Sequence, residues 1–289
     1  MRLESAVLSR PSGGDGPPYV GFSFPLPPGV GSDAVPPRAL LSLKGAGSMR
    51  YLAGERNPSR QGFFSALGID FGRLVAIELR HTRRVRFVET DRLPPGVDGM
   101  ERDALVLPGE DVGDGGPDGA EGCDGIVFLP PAGKPVDGGS NPPVATVTVA
   151  DCMPLWLWDA VSGAWGLLHS GWKGTGILER AVRGIEARRS TRPASMAVIL
   201  GPAIGVCCYD VPEPRADAFA REFGEECVDR SERLPRIDIR AANLAIARRL
   251  GIGAVLSVDA CTHCDASLGS FRREGAAGFT RMVAACVPA

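Results

Sequence analysis

Hydrophobic positions are most regularly spaced in the second half of the chain. Residues 144–149 (Val-Ala-Thr-Val-Thr-Val) alternate with β-branched side chains and predict a strand. Short apolar runs at 155–158, 165–168, 196–200 and 254–258 predict further strands. Between them, Ile177, Leu178, Ala181, Val182 and Ile185 recur at helical spacing, so 175–189 reads as an amphipathic helix. Residues 214–223 and 238–250 read as helices too, the latter with Asp238 as candidate N-cap and Gly251 as its stop.

The first half is less periodic. Residues 11–38 are dense in Gly and Pro and predict irregular or edge structure, with a short strand around 19–24. A strand is expected at 39–43 and a helix at 59–67, closed by Gly68. Residues 74–79 predict a strand that runs into His81, and 85–89 its continuation or partner. From 108 to 143 the chain is mostly Gly, Pro and Asp, with one strand-like stretch at 125–129, which marks a long loop region. Strands and helices mix without strict alternation. The expected fold is therefore α+β, with mixed β-sheets flanked by helices, in a single domain of residues 1–289.

Composition narrows the partners. The 289 residues are 44% hydrophobic and 23% charged, with a formal net charge of -2. Basic and acidic residues are interspersed, which argues against a nucleic-acid partner. No apolar run approaches the roughly 20 residues needed to span a bilayer. Residues 1–10 hold no apolar signal core, so a cytoplasmic location is expected. In that setting the eight cysteines are read as reduced thiols, some available to a metal.

The candidate chemistry starts from a scarcity. The chain has three histidines, His81, His169 and His263. His81 follows one predicted strand and His169 another. Cys152 follows the 144–149 strand, just before Pro154, which is expected to stop regular pairing. Strand ends opening into loops are where a scaffold can converge side chains. Two imidazoles and a thiolate suit one zinc ion, and three protein ligands leave the open position of a catalytic site. Such an ion lowers the pKa of a bound water toward about 7. If the strand runs regularly to 152, Asp151 points away from Cys152 and does not ligate. After His169 come Ser170-Gly171-Trp172-Lys173-Gly174-Thr175-Gly176 and then a helix, so Lys173, Gly174 and Thr175 are a candidate phosphate site. The same loop also reads as a plain turn with Thr175 as N-cap. Arg272 and Arg273 read as a solvated face, or as a grip for an anion or a stacked base.

Cys261-Thr262-His263-Cys264 is a C-x-x-C. Only one such pair is visible, so a four-cysteine site requires Cys207, Cys208, Cys227 or Cys286 to come close. The simpler reading leaves Cys264 incidental. Trp156, Trp158 and Trp165 read as core or pocket wall. On residue type alone, Asp151 and Asp124 are candidates for a general acid.

The segment from Thr148 to Pro154 (T-V-A-D-C-M-P), followed by His169 to Thr175 (H-S-G-W-K-G-T), closely resembles the A-D-C-x-P and H-x-G-W-x-G-T core of the laccase-domain family. That family was once called multicopper polyphenol oxidoreductases and is now regarded as zinc-dependent purine nucleoside phosphorylases. Gly201-Pro202-Ala203-Ile204-Gly205 with Cys207-Cys208-Tyr209, Cys261-Thr262, and Ser270-Phe271-Arg272-Arg273 resemble its later blocks, in order. The resemblance implies that His81, Cys152 and His169 hold the metal. It implies purine nucleosides and phosphate as substrates, with adenosine deamination and methylthioadenosine cleavage as further activities. Leu79-Arg80-His81-Thr82 departs from the family's Gln-Val-His-Gly, Lys173 stands where Arg is common, and Thr280 stands where Gly precedes Arg281. Three rival readings stay open: a cysteine hydrolase with Cys152 as nucleophile and a histidine base, a copper-dependent polyphenol oxidase, and a non-catalytic metal-binding protein. Three histidines are too few for the several His-rich sites of a copper oxidase.

Overall fold

The run Met153–Asp159 is buried at every position because both of its faces are covered. Leu155 and Leu157 pack into one apolar cluster, while Trp156 and Trp158, pointing the other way, pack into a second. That alternation organises the molecule. The computed structural model describes residues 1–8, 18–51, 56–92, 105–107, 122–131 and 142–288. In chain order the strands are Arg2–Ala6 (β1), Tyr19–Phe22 (β2), Arg38–Ser42 (β3), Leu74–Ile77 (β4), Val85–Glu89 (β5), Leu105–Leu107 (β6), Gly125–Leu129 (β7), Val144–Val149 (β8), Met153–Asp159 (β9), Trp165–Ser170 (β10), Met196–Leu200 (β11), Val228–Asp229 (β12), Arg236–Ile237 (β13), Ala254–Val258 (β14) and Met282–Val287 (β15). The α-helices are Pro58–Ala66 (α1), Ile177–Arg189 (α2), Glu213–Phe223 (α3), Ile239–Leu250 (α4) and Phe271–Glu274 (α5).

A seven-stranded sheet runs β1-β14-β11-β9-β10-β7-β5, and a six-stranded sheet runs β2-β3-β15-β8-β4-β6. Both mix parallel and antiparallel pairs. Trp156, Trp165, Phe128 and Ile199 of the first sheet meet Val75, Val147, Ala284 and Leu41 of the second in the interior between them. The outer face of the first sheet packs on α2, α3 and α4. The outer face of the second packs on α1 through Phe63 and Phe64. The arrangement is α+β, as expected, in layers of helices, sheet, sheet and helix. Among the described residues no helix is long and apolar enough to cross a membrane.

A buried polar contact ties the two sheets together. The Trp156 indole Nε1–H donates to the Ala285 carbonyl at 2.8 Å, inside the buried layer. Trp156→Phe is expected to lower unfolding stability by about 2 kcal/mol, combining the lost bond with the lost ring volume. A urea titration checks this: the midpoint should fall with its slope unchanged.

Several expectations need correction. The strand 85–89 does not partner 74–77; β5 pairs with β7 in one sheet, whereas β4 pairs with β8 and β6 in the other. Pro154 does not end pairing but sits inside β9 opposite His169, and its carbonyl accepts from the Gly201 N–H at 2.9 Å. Asp238 does cap α4, accepting from the Arg240 and Ala241 N–H groups, and Gly251 ends it in the left-handed region at φ 75°. Residues 11–17 of the Gly/Pro stretch and 108–121 and 132–141 of the loop region lie outside the described residues.

Candidate metal centre and cavity

The chain passes from one sheet to the other within residues 150–152, between the end of β8 and the start of β9. Asp151 makes this corner at φ 81°, a conformation that costs an ordinary residue of order 1–3 kcal/mol. Three hydrogen bonds hold it there. Its carboxylate accepts from Thr262 Oγ1 at 2.6 Å and from the Arg272 N–H at 2.7 Å. Its carbonyl accepts from the Ile204 N–H at 2.9 Å. The strand is thus not regular up to 152, and Asp151 is diverted from Cys152 by the corner rather than by strand alternation.

The corner presents Cys152 beside the end of β10. Register places Ser170 opposite Met153 and His169 opposite Pro154, so His169 projects next to the corner. His81 arrives from the loop after β4, itself at φ 57°. One ligand atom from each of His81, Cys152 and His169 lies within 4.8 Å of the other two. The two imidazole centroids are 5.1 Å apart, at 68°. Gly171 completes the fit, because a Cβ there would stand 2.7 Å from Cys152 Sγ.

Asp124 organises the cluster from behind. Fully buried, it accepts from the N–H groups of Arg80, His81 and Thr82 at 3.2, 2.9 and 2.6 Å, and from Thr82 Oγ1 at 2.8 Å. His169 Nδ1 bonds to Asp124 Oδ1 at 2.9 Å. One carboxylate therefore fixes the loop carrying one histidine and the tautomer of the other, leaving His169 Nε2 free to ligate. Burial alone raises the Asp124 carboxyl, but bonds from His169 and Thr82 outweigh it and hold the group below the usual carboxylate range. Burial also raises the Cys152 thiol, and here the His169 and His81 imidazoles prevail and draw it down. The same pairing, with Asp124, draws His169 up against its own burial. Asp124 and Asp151 are both engaged as acceptors, so neither is placed as a ready proton donor.

The cluster lies on a cavity of about 510 Å³ that also takes in Trp172, Tyr209, Arg215, Phe271, Arg272, Phe279 and Arg281. That volume suits a small organic ligand. Its three arginines each lie over an aromatic ring: Arg215 over Trp172 at 4.4 Å, Arg272 over Tyr209 at 5.5 Å and Arg281 over Phe279 at 3.9 Å. Lys173, Gly174 and Thr175 do not line it. Thr175 is buried and its hydroxyl donates to the Gly171 carbonyl at 2.8 Å instead of capping α2, whose N-cap is Gly176. Arg83 lies against Gly176 and donates to the Lys173 carbonyl, so a cation already sits at that helix start. Lys173 is exposed, beside the Trp172 ring. Arg272 lines the cavity, whereas Arg273 donates to the carbonyls of Thr262, His263, Asp265 and Leu268. Sequence reasoning missed Arg215 and Arg281, whose neighbourhood depends on tertiary packing alone.

Taken together, these features define an α+β protein of two large packed sheets with a His–Cys–His cluster at the edge of an aromatic, arginine-rich cavity. The family model for multi-copper polyphenol oxidoreductase laccase matches residues 139–287, and the chain belongs to that family. The mouse purine nucleoside phosphorylase LACC1 is 34% identical over 128 residues, covering 41% of this chain and 30% of the mouse protein. The purine nucleoside phosphorylase YlmD of Geobacillus stearothermophilus is 29% identical over 143 residues, covering 47% of this chain and 52% of YlmD. The adenosine deaminase RL5 from an unidentified prokaryote is 31% identical over 46% of this chain and 53% of its own length. The matched stretch thus spans about half or less of each relative. The crystal structure of YlmD superposes with a TM-score of 0.69 at 22% identity, covering 89% of this chain and 94% of that one, which establishes a shared fold.

Proposed function

We propose that the chain is a zinc-dependent purine nucleoside phosphorylase. The observation that carries this reading is the convergence of His81, Cys152 and His169 at the edge of a cavity walled by aromatic rings and three arginines. The donor set fits the ion: one sulfur and two imidazole nitrogens, one histidine fixed by a carboxylate, suit a borderline-soft cation such as zinc rather than a hard one. A zinc ion held there supplies Lewis-acid polarisation and lowers the pKa of coordinated water toward about 7.

The remaining work falls to this chain's side chains. Trp172, Tyr209, Phe271 and Phe279 offer faces and edges for a purine. Arg215, Arg272 and Arg281 offer fixed cations for phosphate, a role that Lys173, Gly174 and Thr175 are poorly placed to fill. In the reaction, a phosphate oxygen bonds to the ribose anomeric carbon. The carbon–nitrogen bond to the base breaks, its electron pair leaves on the base nitrogen, and the base takes up a proton. Cationic guanidinium groups lower the cost of bringing the anionic nucleophile into the cavity.

Incubation of the zinc-loaded chain with inosine and phosphate is expected to release hypoxanthine and ribose 1-phosphate in equal amounts, and no base when phosphate is omitted. Chromatography reads both. Adenosine turned to inosine without phosphate marks the deaminase activity instead. No free base and no deaminated product from any purine nucleoside overturns the assignment.

A second reading has one observation in its favour. Cys152, His169 and Asp124 form a thiol–imidazole–carboxylate series, with the thiol drawn down by its histidine neighbours. A cysteine hydrolase keeps its activity after chelation and loses it on alkylation of Cys152; the zinc enzyme loses activity on chelation and regains it with added zinc.

A further inference from the structure

A second cluster of soft ligands lies outside the site described above. β11 and β14 are adjacent parallel strands, so the turns that follow them lie side by side. The first carries Cys207 and Cys208 on a short 3-10 turn, Val206–Cys208; the second carries Cys261 and Cys264. The turns are stitched together by a backbone bridge between Ala203 and Cys261 and by the Thr262 N–H, which donates to the Ala203 carbonyl at 3.0 Å. Each turn is closed by its own bond, Cys208 N–H to the Gly205 carbonyl at 3.0 Å and Asp265 N–H to the Cys261 carbonyl at 2.9 Å.

This architecture brings four sulfurs to one point. All lie within 4.8 Å of one another, with Cys207 and Cys264 at 3.8 Å and Cys208 and Cys264 at 3.4 Å. A zinc–sulfur bond of about 2.3 Å gives a regular tetrahedron with edges of about 3.8 Å. Disulfides need sulfurs about 2.05 Å apart and use them in pairs, which explains two contacts, not a four-way convergence. The surroundings match thiolate ligation. The Gly205 N–H donates to Cys261 Sγ at 3.2 Å, as an outer hydrogen bond to a ligand should. A Cβ on Gly205 would stand 3.2 Å from Cys207 Sγ and 3.2 Å from Cys261 Cβ, so glycine allows that approach. The Arg240 guanidinium, anchored on the carbonyls of Val258 and Ala260, interacts electrostatically with Cys207 and Cys261 and offsets their charge.

We propose that Cys207, Cys208, Cys261 and Cys264 form a closed tetrathiolate site for one zinc ion, distinct from the His–Cys–His centre. Four thiolates fill the tetrahedron, so the ion is structural. Its place in the fold says what it steadies. Cys208 precedes Tyr209, which lines the cavity, and the Arg272 guanidinium donates to the carbonyls of Cys208 and Asp210. Thr262, between the other two cysteines, holds the Asp151 corner next to Cys152. The site ties down the wall and the corner of the cavity without touching a substrate.

The test uses the full chain, stripped of metal under reducing conditions and titrated with cobalt(II), then with zinc followed by elemental analysis. Wild type is expected to bind two equivalents of zinc. Its cobalt form should show the strong thiolate-to-metal charge transfer and intense visible bands of a sulfur tetrahedron. Cys152→Ala should keep that spectrum and one zinc; the double variant Cys207→Ser, Cys264→Ser should lose the spectrum and keep one zinc. The wild-type spectrum serves even where a variant fails to fold. A single equivalent that disappears with Cys152→Ala, or a wild-type cobalt form without tetrathiolate absorption, overturns the proposal. A single equivalent that survives Cys152→Ala and vanishes in the double variant upholds it and removes the His–Cys–His reading instead.

Discussion

Cys152→Ala is expected to cut purine nucleoside turnover by at least about 100-fold, because losing a ligand should exceed the 10–100-fold losses typical of its outer-shell supports. It should also remove one equivalent of bound zinc. The cause is the geometry of the corner. Cys152 supplies the only sulfur that joins His81 and His169 within 4.8 Å among the described residues. Alanine leaves two imidazoles on separate elements, one of them on a loop, and nothing to hold a third coordination position. Fold stability should change less than activity, since Cys152 is only partly buried and outside the apolar clusters. Elemental analysis and product chromatography on the same sample check the claim. Zinc retained in full, with turnover gone, would instead assign Cys152 as a nucleophile.

Asp124→Asn is expected to weaken zinc binding by about 10–100-fold, although Asp124 is not itself a proposed ligand. The substitution keeps shape and changes the sense of one hydrogen-bonding atom. Asp124 accepts from three backbone N–H groups, the Thr82 hydroxyl and His169 Nδ1. An amide NH2 must face some of these donors, which leaves buried groups opposed and costs about 1–3 kcal/mol. His169 also loses the acceptor that sets its tautomer. Competition with a chromophoric chelator measures the affinity, and a thermal melt the stability. Affinity equal to wild type would show that the carboxylate does not order the centre.

What the sequence made legible follows from how each element is stabilised. β8 and α2 bury one patterned face, or alternate visibly, and their positions could be read directly. Asp238 and Gly251 bracket α4 through local hydrogen bonding and backbone conformation, so they were legible too. β15 was not. Met282–Val287 is apolar throughout because it lies mid-sheet with both faces covered, and such a run has no period to read. β1 was missed for the opposite reason: it is a mostly exposed edge strand whose pairing with β14 is its chief support. At the site, the three proposed ligands were picked out by residue type and strand-end placement. The role of Asp124 was not, because it depends on packing between segments 40 residues or more apart. The Gly-rich loop stays ambiguous in sequence because glycines before a helix look alike whether they cradle an anion or, as at Gly174, pack against the carbonyls of His169 and Thr82. Cys264 reads as incidental in the sequence because Cys207 and Cys208 are brought near it only by the adjacency of β11 and β14.

The ligands of the proposed zinc centre do not share a sheet. His169 stands on the seven-stranded layer, whereas His81 and Cys152 ride two segments that cross to it from the six-stranded one, residues 78–84 and 150–152. The centre is in effect a caliper across the sandwich. Any repacking of the interior that slides one layer an ångström past the other misaligns the jaws, so remote core variants should betray themselves first as leaky metal holders that are otherwise intact.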